Sequence, residues 1–299
     1  MKRIFAVTAA VLLALSGCTT ARLTAPTVKV ANLPSPAVLP TVAEIKTRDC
    51  GAGSADAASL NKASLYGMSW SPFGRPEKGW AVYAPAVAHE IDSRCAADTA
   101  GFAADLAVWQ SKHGLTATGA MDVATFDAMK TAWQNRRPFV ALRGEGVCPN
   151  SPSDTELAVA TADESYGGKK IELRAQALAA YRRMVTAARA ALPELQQSRE
   201  LLTIFSAHRS PEYDAARCAR DGNCQGIVRA SCSAHRTGLA MDIDVGAAAG
   251  YSVDSSDDHN RLYQAQGAAY RWLVANAPRF GFVNYAFEPW HWEFTGVRP

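Results

Sequence analysis

The stretch from Leu239 to Val245 alternates between apolar and polar positions, which is the pattern of a strand with one buried face. Its apolar positions are Leu239, Met241, Ile243 and Val245. Asp242 and Asp244 therefore face the opposite way. Three further apolar segments, 201–207, 282–286 and 291–294, are also typical of strands. The pattern predicts a small sheet in the C-terminal half of the chain.

Helical periodicity surrounds these strands. Apolar residues recur at helical spacing from about Leu173 to Leu192, and a second helix is predicted over 261–277, ended by Asn276 and Pro278. Helices mixed with an antiparallel-looking sheet predict an α+β domain over residues 173–299.

The preceding part of the chain has helical periodicity without strand alternation. One predicted helix carries Leu106 and Trp109 and ends at Gly114. Asp122 is a plausible N-cap for the next helix. The apolar face of that helix carries Phe126, Met129 and Trp133. We therefore expect a small, mostly helical module over residues 49–148 and a linker over 149–172. Residues 51–100 show no pattern from which a role follows.

The segment WQSKHGLTATGAMDVATFDAM, beginning at Trp109, resembles the helical peptidoglycan-binding module. That family has an aromatic-Gln pair, a Gly-Leu, a Thr-Gly and an Asp-x-x-Thr. The resemblance covers some thirty residues and implies binding to the bacterial cell wall. The alternative is that these helices serve only to pack.

The N-terminus is typical of an exported protein. Lys2 and Arg3 precede an apolar run that is too short to span a bilayer comfortably, so residues 1–17 are predicted to be a signal peptide. The tail LSGC resembles the lipobox of bacterial lipoproteins, which implies that Cys18 carries a lipid anchor. The alternative is a signal peptide cut elsewhere. Residues 18–48 are rich in Pro, Ala, Thr and Val and are predicted to be a flexible tether.

The remaining cysteines are candidates for disulfides. The chain has seven cysteines, and without Cys18 there remain Cys50, Cys95, Cys148, Cys218, Cys224 and Cys232. Thiols in an exported chain usually oxidise, but six cysteines allow many pairings, so none is assigned. Cys218, Cys224 and Cys232 could alternatively hold a structural zinc ion together with His235.

Net charge says little about partners, but the distribution of basic residues along the chain is informative. The chain has 31 Lys and Arg against 28 Asp and Glu, with a formal net charge of +3. The basic residues form no block of the kind that binds nucleic acid, so no nucleic-acid partner is expected.

Two histidines lie near carboxylates. His235 precedes Asp242 across a Thr-Gly turn, and His291 begins a predicted strand in which alternation places Glu293 on the same face. Two imidazoles and one carboxylate suit Zn²⁺, and three protein ligands leave a fourth position for water, whose pKa the metal lowers to about 7. The pattern predicts one zinc ion per chain, held by His235, Asp242 and His291.

Other acidic residues near these ligands have predicted roles. Glu288 lies three residues before His291 and is followed by Pro289, which favours an extended backbone at Glu288. An unliganded carboxylate there could move protons between water and a leaving amine. Asp244 and Glu293 could orient the ligand imidazoles, or could be solvated or capping residues.

The segments SAHRTGLAMD and EPWH together resemble the zinc D-alanyl-D-alanine carboxypeptidases of the vancomycin-resistance type. Their pattern is Ser-x-His-x-x-Gly-x-Ala-x-Asp, followed later by Glu-x-x-His. The matching positions are Ser233, His235, Gly238, Ala240, Asp242, Glu288 and His291. The resemblance implies the same three zinc ligands, Glu288 as the general base and Ser233 in substrate binding.

The same family has an arginine in a Tyr-Arg-Ser turn after a strand. Here SAHRSP supplies Arg209, with His208 in place of the tyrosine. The resemblance implies that Arg209 binds the substrate's terminal carboxylate or polarises the scissile carbonyl. The run WEF after His291 also departs from the family's aromatic-Arg-Tyr, which bears on substrate choice.

These features predict a zinc peptidase that removes terminal D-alanine from peptidoglycan stem peptides. An endopeptidase that cuts cross-links is the alternative with the same chemistry, and a non-catalytic wall-binding lipoprotein is the alternative from another class. Thr19 after Cys18 is no retention signal in lipoprotein sorting, so we expect a lipid-anchored protein on the outer membrane, facing the periplasm.

Overall fold

A computed structural model describes residues 49–143, 148–220, 222 and 232–296. The predicted signal peptide, the predicted tether with Cys18, and Cys224 lie outside the described residues. Within the described ranges, no helix combines the length and the apolar character needed to cross a membrane.

Helices and short strands alternate along the described chain. The helices are α1 (Ala55–Gly67), α2 (Ala84–Glu90), α3 (Ala100–Lys112), α4 (Val123–Asn135), α5 (Pro138–Arg143), α6 (Ala175–Ala191), α7 (Pro193–Gln197), α8 (Pro211–Arg220), α9 (Asp258–Gln266) and α10 (Ala268–Asn276). The strands are β1 (Ser69–Trp70), β2 (Glu77–Lys78), β3 (Leu157–Val159), β4 (Glu172–Arg174), β5 (Ile204–Ser206), β6 (Ala240–Ile243), β7 (Phe282–Asn284) and β8 (His291–Phe294).

The central sheet has four antiparallel strands in the order β5-β6-β8-β7. In its middle pair, Met241 is opposite Trp292 and Asp242 is opposite His291. Met241 and Trp292 belong to the main apolar core, which α6 and α10 also line. The alternation of β6 and β8 thus buries one face and leaves Asp242 and His291 together on the other. The predicted α+β class is confirmed.

The predicted helix over 261–277 is in fact two helices. Gly267 separates α9 from α10 with φ −68° and ψ 148°, an extended conformation that ends one helix and precedes the next. The Gly267 N–H donates to the Gln264 carbonyl at 3.0 Å. Apolar periodicity continues across the break because both helices pack on the same core. Periodicity alone therefore could not reveal it.

The helix predicted from Leu173 begins two residues later, at Ala175. Residues 172–174 form β4 instead, which pairs with β3 in an antiparallel hairpin. The segment predicted to be a linker therefore contains a strand. The pairing covers only three residues on each side, which is too short for a clear alternation in the sequence.

The helical part follows its predicted signals closely. The α3 helix ends at Lys112 and is followed by Gly114 at φ +71°. Asp122 caps α4, since its Oδ1 accepts the Thr125 N–H at 2.7 Å. The predicted face of α4 is buried in a second apolar core, together with aromatic residues from the region before α3.

The residues that resemble the peptidoglycan-binding pattern have local structural roles. The fully buried Gln110 accepts the Gly119 N–H at 2.8 Å and donates to Thr125 Oγ1 at 2.9 Å. Gly119 has φ +70°, and a Cβ there would lie 2.6 Å from the Ala103 carbonyl. The pattern therefore fixes the turn between α3 and α4. Wall binding by this module stays a prediction.

A buried polar cluster joins the helical part to the C-terminal part within one compact unit, Thr47–Pro299. Arg261 of α9 is fully buried. Its guanidinium donates to Tyr83 Oη at 2.7 Å and to the Phe287 carbonyl at 2.8 Å, and it pairs with Glu77 at 3.2 Å. The cluster holds the 77–83 segment against the turn that precedes β8.

We expect Arg261→Met to lower the free energy of unfolding by about 3–5 kcal/mol, because it leaves Glu77 as a buried charge without its partner. Denaturant unfolding would measure the loss. Arg75→Met is the matched control, since its 3.5 Å pair with Asp258 is partly exposed and is worth less than about 1 kcal/mol. Equal losses in the two variants would contradict this account.

Disulfides link Cys50 to Cys95 and Cys148 to Cys232, and Cys218 is also disulfide-bonded. The alternative zinc site with Cys218, Cys224, Cys232 and His235 is therefore contradicted, because oxidised sulfurs of Cys218 and Cys232 are not thiolate ligands. The Cys148–Cys232 bridge instead ties residue 148 to the residue directly before Ser233.

Candidate active site

Antiparallel pairing of β6 with β8 brings Asp242 and His291 into contact. The two residues are opposite each other in the register, and Asp242 Oδ1 lies 2.9 Å from His291 Nδ1. Both side chains are buried. The sheet, rather than a loop, therefore fixes this pair.

His235 reaches the same carboxylate from the turn before β6. Residues 234–237 form a short 3₁₀ helix, which ends at Gly238 with φ +66°. This turn places His235 Nε2 3.2 Å from Asp242 Oδ2. On the other side of the ring, Nδ1 lies 2.8 Å from the Ala207 carbonyl, a contact that fits an Nδ1–H donor and leaves the Nε2 lone pair directed at Asp242.

The three predicted ligands converge on one point. One ligand atom from each of His235, Asp242 and His291 lies within 4.8 Å of the other two, and this buried group could hold a metal ion. Tetrahedral zinc with bonds near 2.1 Å has ligand atoms roughly 3.4 Å apart. The 3.2 Å separation of His235 Nε2 and Asp242 Oδ2 fits that spacing. Two nitrogens and one oxygen are a donor set that zinc accepts.

The ionisable side chains of this group shift one another's pKa values. Burial, with Arg209 nearby, lowers the pKa of His235 to about 4. Burial also lowers the pKa of His291, but its hydrogen bonds with Asp242 and Glu293 outweigh that effect and raise it to about 9. Burial raises the pKa of Asp242, yet the two imidazoles hold it well below its usual range. Asp242 is therefore ionised, and its two oxygens face the two imidazoles.

Glu288 is held beside His291 by two consecutive turns. The Glu288 N–H donates to the Tyr285 carbonyl at 2.8 Å, and the His291 N–H donates to the Glu288 carbonyl at 2.9 Å. Glu288 Oε2 lies 4.0 Å from His291 Nδ1. Burial raises the pKa of Glu288, and the neighbouring Asp242 raises it further, although His291 opposes them. A raised pKa is the direction expected of a carboxyl group that accepts and returns a proton during catalysis.

Arg209 lies at the site and contacts one predicted ligand. Its Nη2 donates to Asp242 Oδ2 at 3.1 Å and to Ser206 Oγ at 2.7 Å. The guanidinium thus supports the Asp242 carboxylate, a contact that sequence patterns did not reveal. His208, the neighbour that replaces the family's tyrosine, is directed elsewhere, with its Nε2 2.7 Å from Ser151 Oγ.

Ser233 is hydrogen-bonded to Asp214, a residue that no sequence pattern connects with the site. Its Oγ donates to Oδ2 of Asp214, a buried residue of α8, at 2.9 Å. Burial raises the pKa of Asp214, while Ser233, Arg209 and Arg236 oppose that effect. The only signal in the sequence is an acidic residue in the first turn of a helix after Arg209, a pattern that is usual for capping.

The two other candidate acidic residues have different surroundings. Asp244 accepts the Gly246 N–H at 2.7 Å, a local contact within the loop that follows β6. Glu293 is buried on the His291 side of β8, with Oε1 3.4 Å from His291 Nε2. Burial raises the pKa of Glu293, but His291 and Arg137 outweigh it and lower it to about 2. Glu293 is therefore an ionised carboxylate behind the imidazole, as in the orienting alternative.

A comparison with known proteins found a family match for the segment that contains this site. No curated protein matches the chain. Residues 170–297 match the model of the VanY family, D-alanyl-D-alanine carboxypeptidase. The part of the chain that carries all of the predicted catalytic and metal-binding residues is thus similar to D-alanyl-D-alanine carboxypeptidases.

Proposed function

We propose that the protein is a zinc-dependent peptidoglycan peptidase that removes the terminal D-alanine from stem peptides. The convergence of His235, Asp242 and His291 within 4.8 Å, in a segment that matches the carboxypeptidase family, carries the proposal. A D,D-carboxypeptidase needs a nucleophilic water, a proton carrier and a cation for the substrate's negative charge. The surrounding residues supply a candidate for each of the last two.

In this proposal His235 Nε2, Asp242 and His291 Nδ1 are the zinc ligands. Zinc bound by them would act as a Lewis acid toward water and the scissile carbonyl. The neighbouring groups are already arranged for such an ion. The Ala207 carbonyl fixes the His235 ring, and Arg209 and the two imidazoles surround the Asp242 carboxylate.

Glu288 is the proposed general base and acid. Its carboxylate takes a proton from the attacking water and then delivers that proton to the amine of the leaving D-alanine. The raised pKa of Glu288 lessens the cost of holding the proton between these two steps. The two turns that flank Glu288 keep its carboxylate near His291 without making it a ligand.

Arg209 and Ser233 are the proposed substrate-binding groups. A guanidinium can hold the terminal carboxylate of the peptide or stabilise charge that develops on the scissile carbonyl. Arg209 is kept in place for either task by Ser206 and Asp242. Ser233 lies in the same turn region as His235, and its contact with Asp214 fixes the side chain.

The test is an assay of purified, zinc-loaded protein against a monomeric pentapeptide that ends in D-Ala-D-Ala and against cross-linked muropeptide. We expect release of D-alanine from the pentapeptide alone, measured by mass spectrometry. A pentapeptide that ends in D-Ala-L-Ala is the matched control and should not be cleaved. Cleavage of cross-links alone would favour the endopeptidase alternative, and no cleavage of any muropeptide would favour the wall-binding alternative.

The N-terminal part of the chain also suggests where in the cell the proposed enzyme acts. A lipid on Cys18, with the tether 18–48, would hold the enzyme at the outer membrane facing the periplasm, where stem peptides are exposed. The module over residues 49–148 would bind the same wall. Both roles rest on the sequence patterns described above.

A further inference from the structure

The carboxylate behind His291 is held by residues from the helical part of the chain. Arg137 Nε and Nη2 both lie 2.6 Å from Glu293 Oε1. The Phe139 N–H donates to Glu293 Oε2 at 3.0 Å. Both oxygens of Glu293 are therefore occupied by groups that are more than 150 residues away in the sequence.

The Arg137 side chain is also held by contacts other than the one with Glu293. It lies in the short connection between α4 and α5, and its Nη1 donates to Gln134 Oε1 at 2.9 Å. Its guanidinium also lies 4.1 Å from the ring centroid of Tyr285. The Tyr285 N–H in turn donates to the His291 carbonyl at 3.0 Å. Arg137 thus contacts the ring of Tyr285, whose backbone is hydrogen-bonded to His291, and also the carboxylate beside the His291 imidazole.

A carboxylate that accepts a hydrogen bond from one imidazole nitrogen fixes the ring orientation and leaves the other nitrogen as a metal ligand. Glu293 lies on the Nε2 side of His291, and Asp242 lies on the Nδ1 side. The Arg137 guanidinium keeps Glu293 oriented toward Nε2. Loss of Arg137 would remove the guanidinium that contacts this buried carboxylate through two of its nitrogens.

We propose that Arg137 is a positioning residue of the metal centre, which acts through Glu293 to hold the His291 Nδ1 lone pair toward the ion. The inference rests on the zinc site of the proposed function. It gives the helical part a second task besides any binding to the wall, because α4 and α5 complete the surroundings of a ligand on β8. The centre is then built from both parts of the chain.

Zinc affinity of the full-length chain tests this inference. Apo protein is titrated with zinc against a competing chromogenic chelator. We expect Arg137→Met to weaken zinc binding by about 10–100-fold, the usual effect of losing a group that orients a metal ligand. Arg137→Lys should recover part of that loss, because it keeps the charge but not the fork. Denaturant unfolding of each apo variant shows that the comparison is made on folded protein.

The matched control is Arg136→Met. Arg136 is the adjacent residue, but its guanidinium pairs with Glu90 at 3.0 Å within the helical part, so zinc affinity should not change. Glu293→Gln should weaken zinc binding to a similar degree as Arg137→Met. Adding Arg137→Met to Glu293→Gln should then have little further effect, because the arginine acts through this carboxylate.

Wild-type zinc affinity in a folded Arg137→Met variant would overturn the inference. The inference would also be overturned if Arg137→Met weakened zinc binding by the same factor in the wild type and in Glu293→Gln. Such additive losses would mean that the arginine acts through a general structural effect and not through Glu293. Should Arg137→Met not fold, the lysine and glutamine variants carry the same comparison. Failure of the proposed peptidase would look different: the wild type would bind zinc and respond to these variants but release no D-alanine.

Discussion

Replacement of Glu288 by glutamine is expected to lower kcat for D-alanine release by about 10²–10⁴-fold, the usual contribution of a general base or acid. Glutamine keeps the size and the backbone turns of Glu288 but cannot take up a proton. Because Glu288 is 4.0 Å from His291 Nδ1 and is not one of the three grouped ligands, zinc content should remain at one ion per chain. Steady-state kinetics with parallel metal analysis would measure both quantities.

Glu194→Gln is the control for that experiment. Glu194 is an exposed carboxylate in the first turn of α7 and lies outside the site, so its substitution should leave kcat unchanged. If Glu288→Gln retains wild-type turnover, the proton carrier is another group. If it loses zinc together with activity, Glu288 is a ligand rather than a base.

Removal of the metal should abolish D-alanine release and lower stability. Dialysis against a chelator would remove the proposed ion from the buried His235, Asp242 and His291, and added zinc should restore activity. Since zinc binds the folded state, free zinc at about 100 times its Kd stabilises that state by about 2.7 kcal/mol, which thermal unfolding would detect. Activity and stability should both recover when zinc is added back.

The Asp242→Ala variant distinguishes the effect of zinc at the proposed site from the effect of zinc bound nonspecifically elsewhere. Asp242 contacts both imidazoles, so its loss removes one ligand and the group that aligns the other two. The variant should show no activity and no rise in unfolding temperature with zinc. A wild-type response of this variant to zinc would place the metal elsewhere in the chain.

Structural features that depend on residues close together in the chain could be predicted from the sequence. Alternation along β6 and β8 places Asp242 and His291 away from the apolar core, and strand pairing then brings them together. Asp122 as an N-cap and Gly114 after α3 are equally local. Each follows from the fixed side-chain periodicity or from the backbone conformation that a residue type allows.

Features that depend on contacts between distant parts of the chain could not be predicted from the sequence. The support of Glu293 by Arg137 joins residues 156 positions apart, and a single basic residue in a helical segment carries no sign of its partner. The pairing of Cys148 with Cys232 has the same origin, since spacing does not determine disulfide connectivity. Asp214 resembles an ordinary helix-start residue until Ser233 is seen beside it. Tertiary packing alone decides these contacts.

The link between the two parts of the chain changes how the helical part is understood. Its resemblance to a wall-binding module concerns Gln110, Gly119 and Thr125, which fix a turn. Arg137 follows α4 and lies against the proposed metal centre. Binding of the helical part to the wall would therefore be compatible with the proposed indirect role of Arg137 at the metal centre.

Anomalous diffraction at the zinc absorption edge, from crystals of the active protein, tests the central claim most directly. The account predicts one zinc peak per chain, at about 2.0–2.2 Å from His235 Nε2, an Asp242 carboxylate oxygen and His291 Nδ1. An active protein without a peak among these three side chains, or with its zinc bound by other residues, would contradict the account.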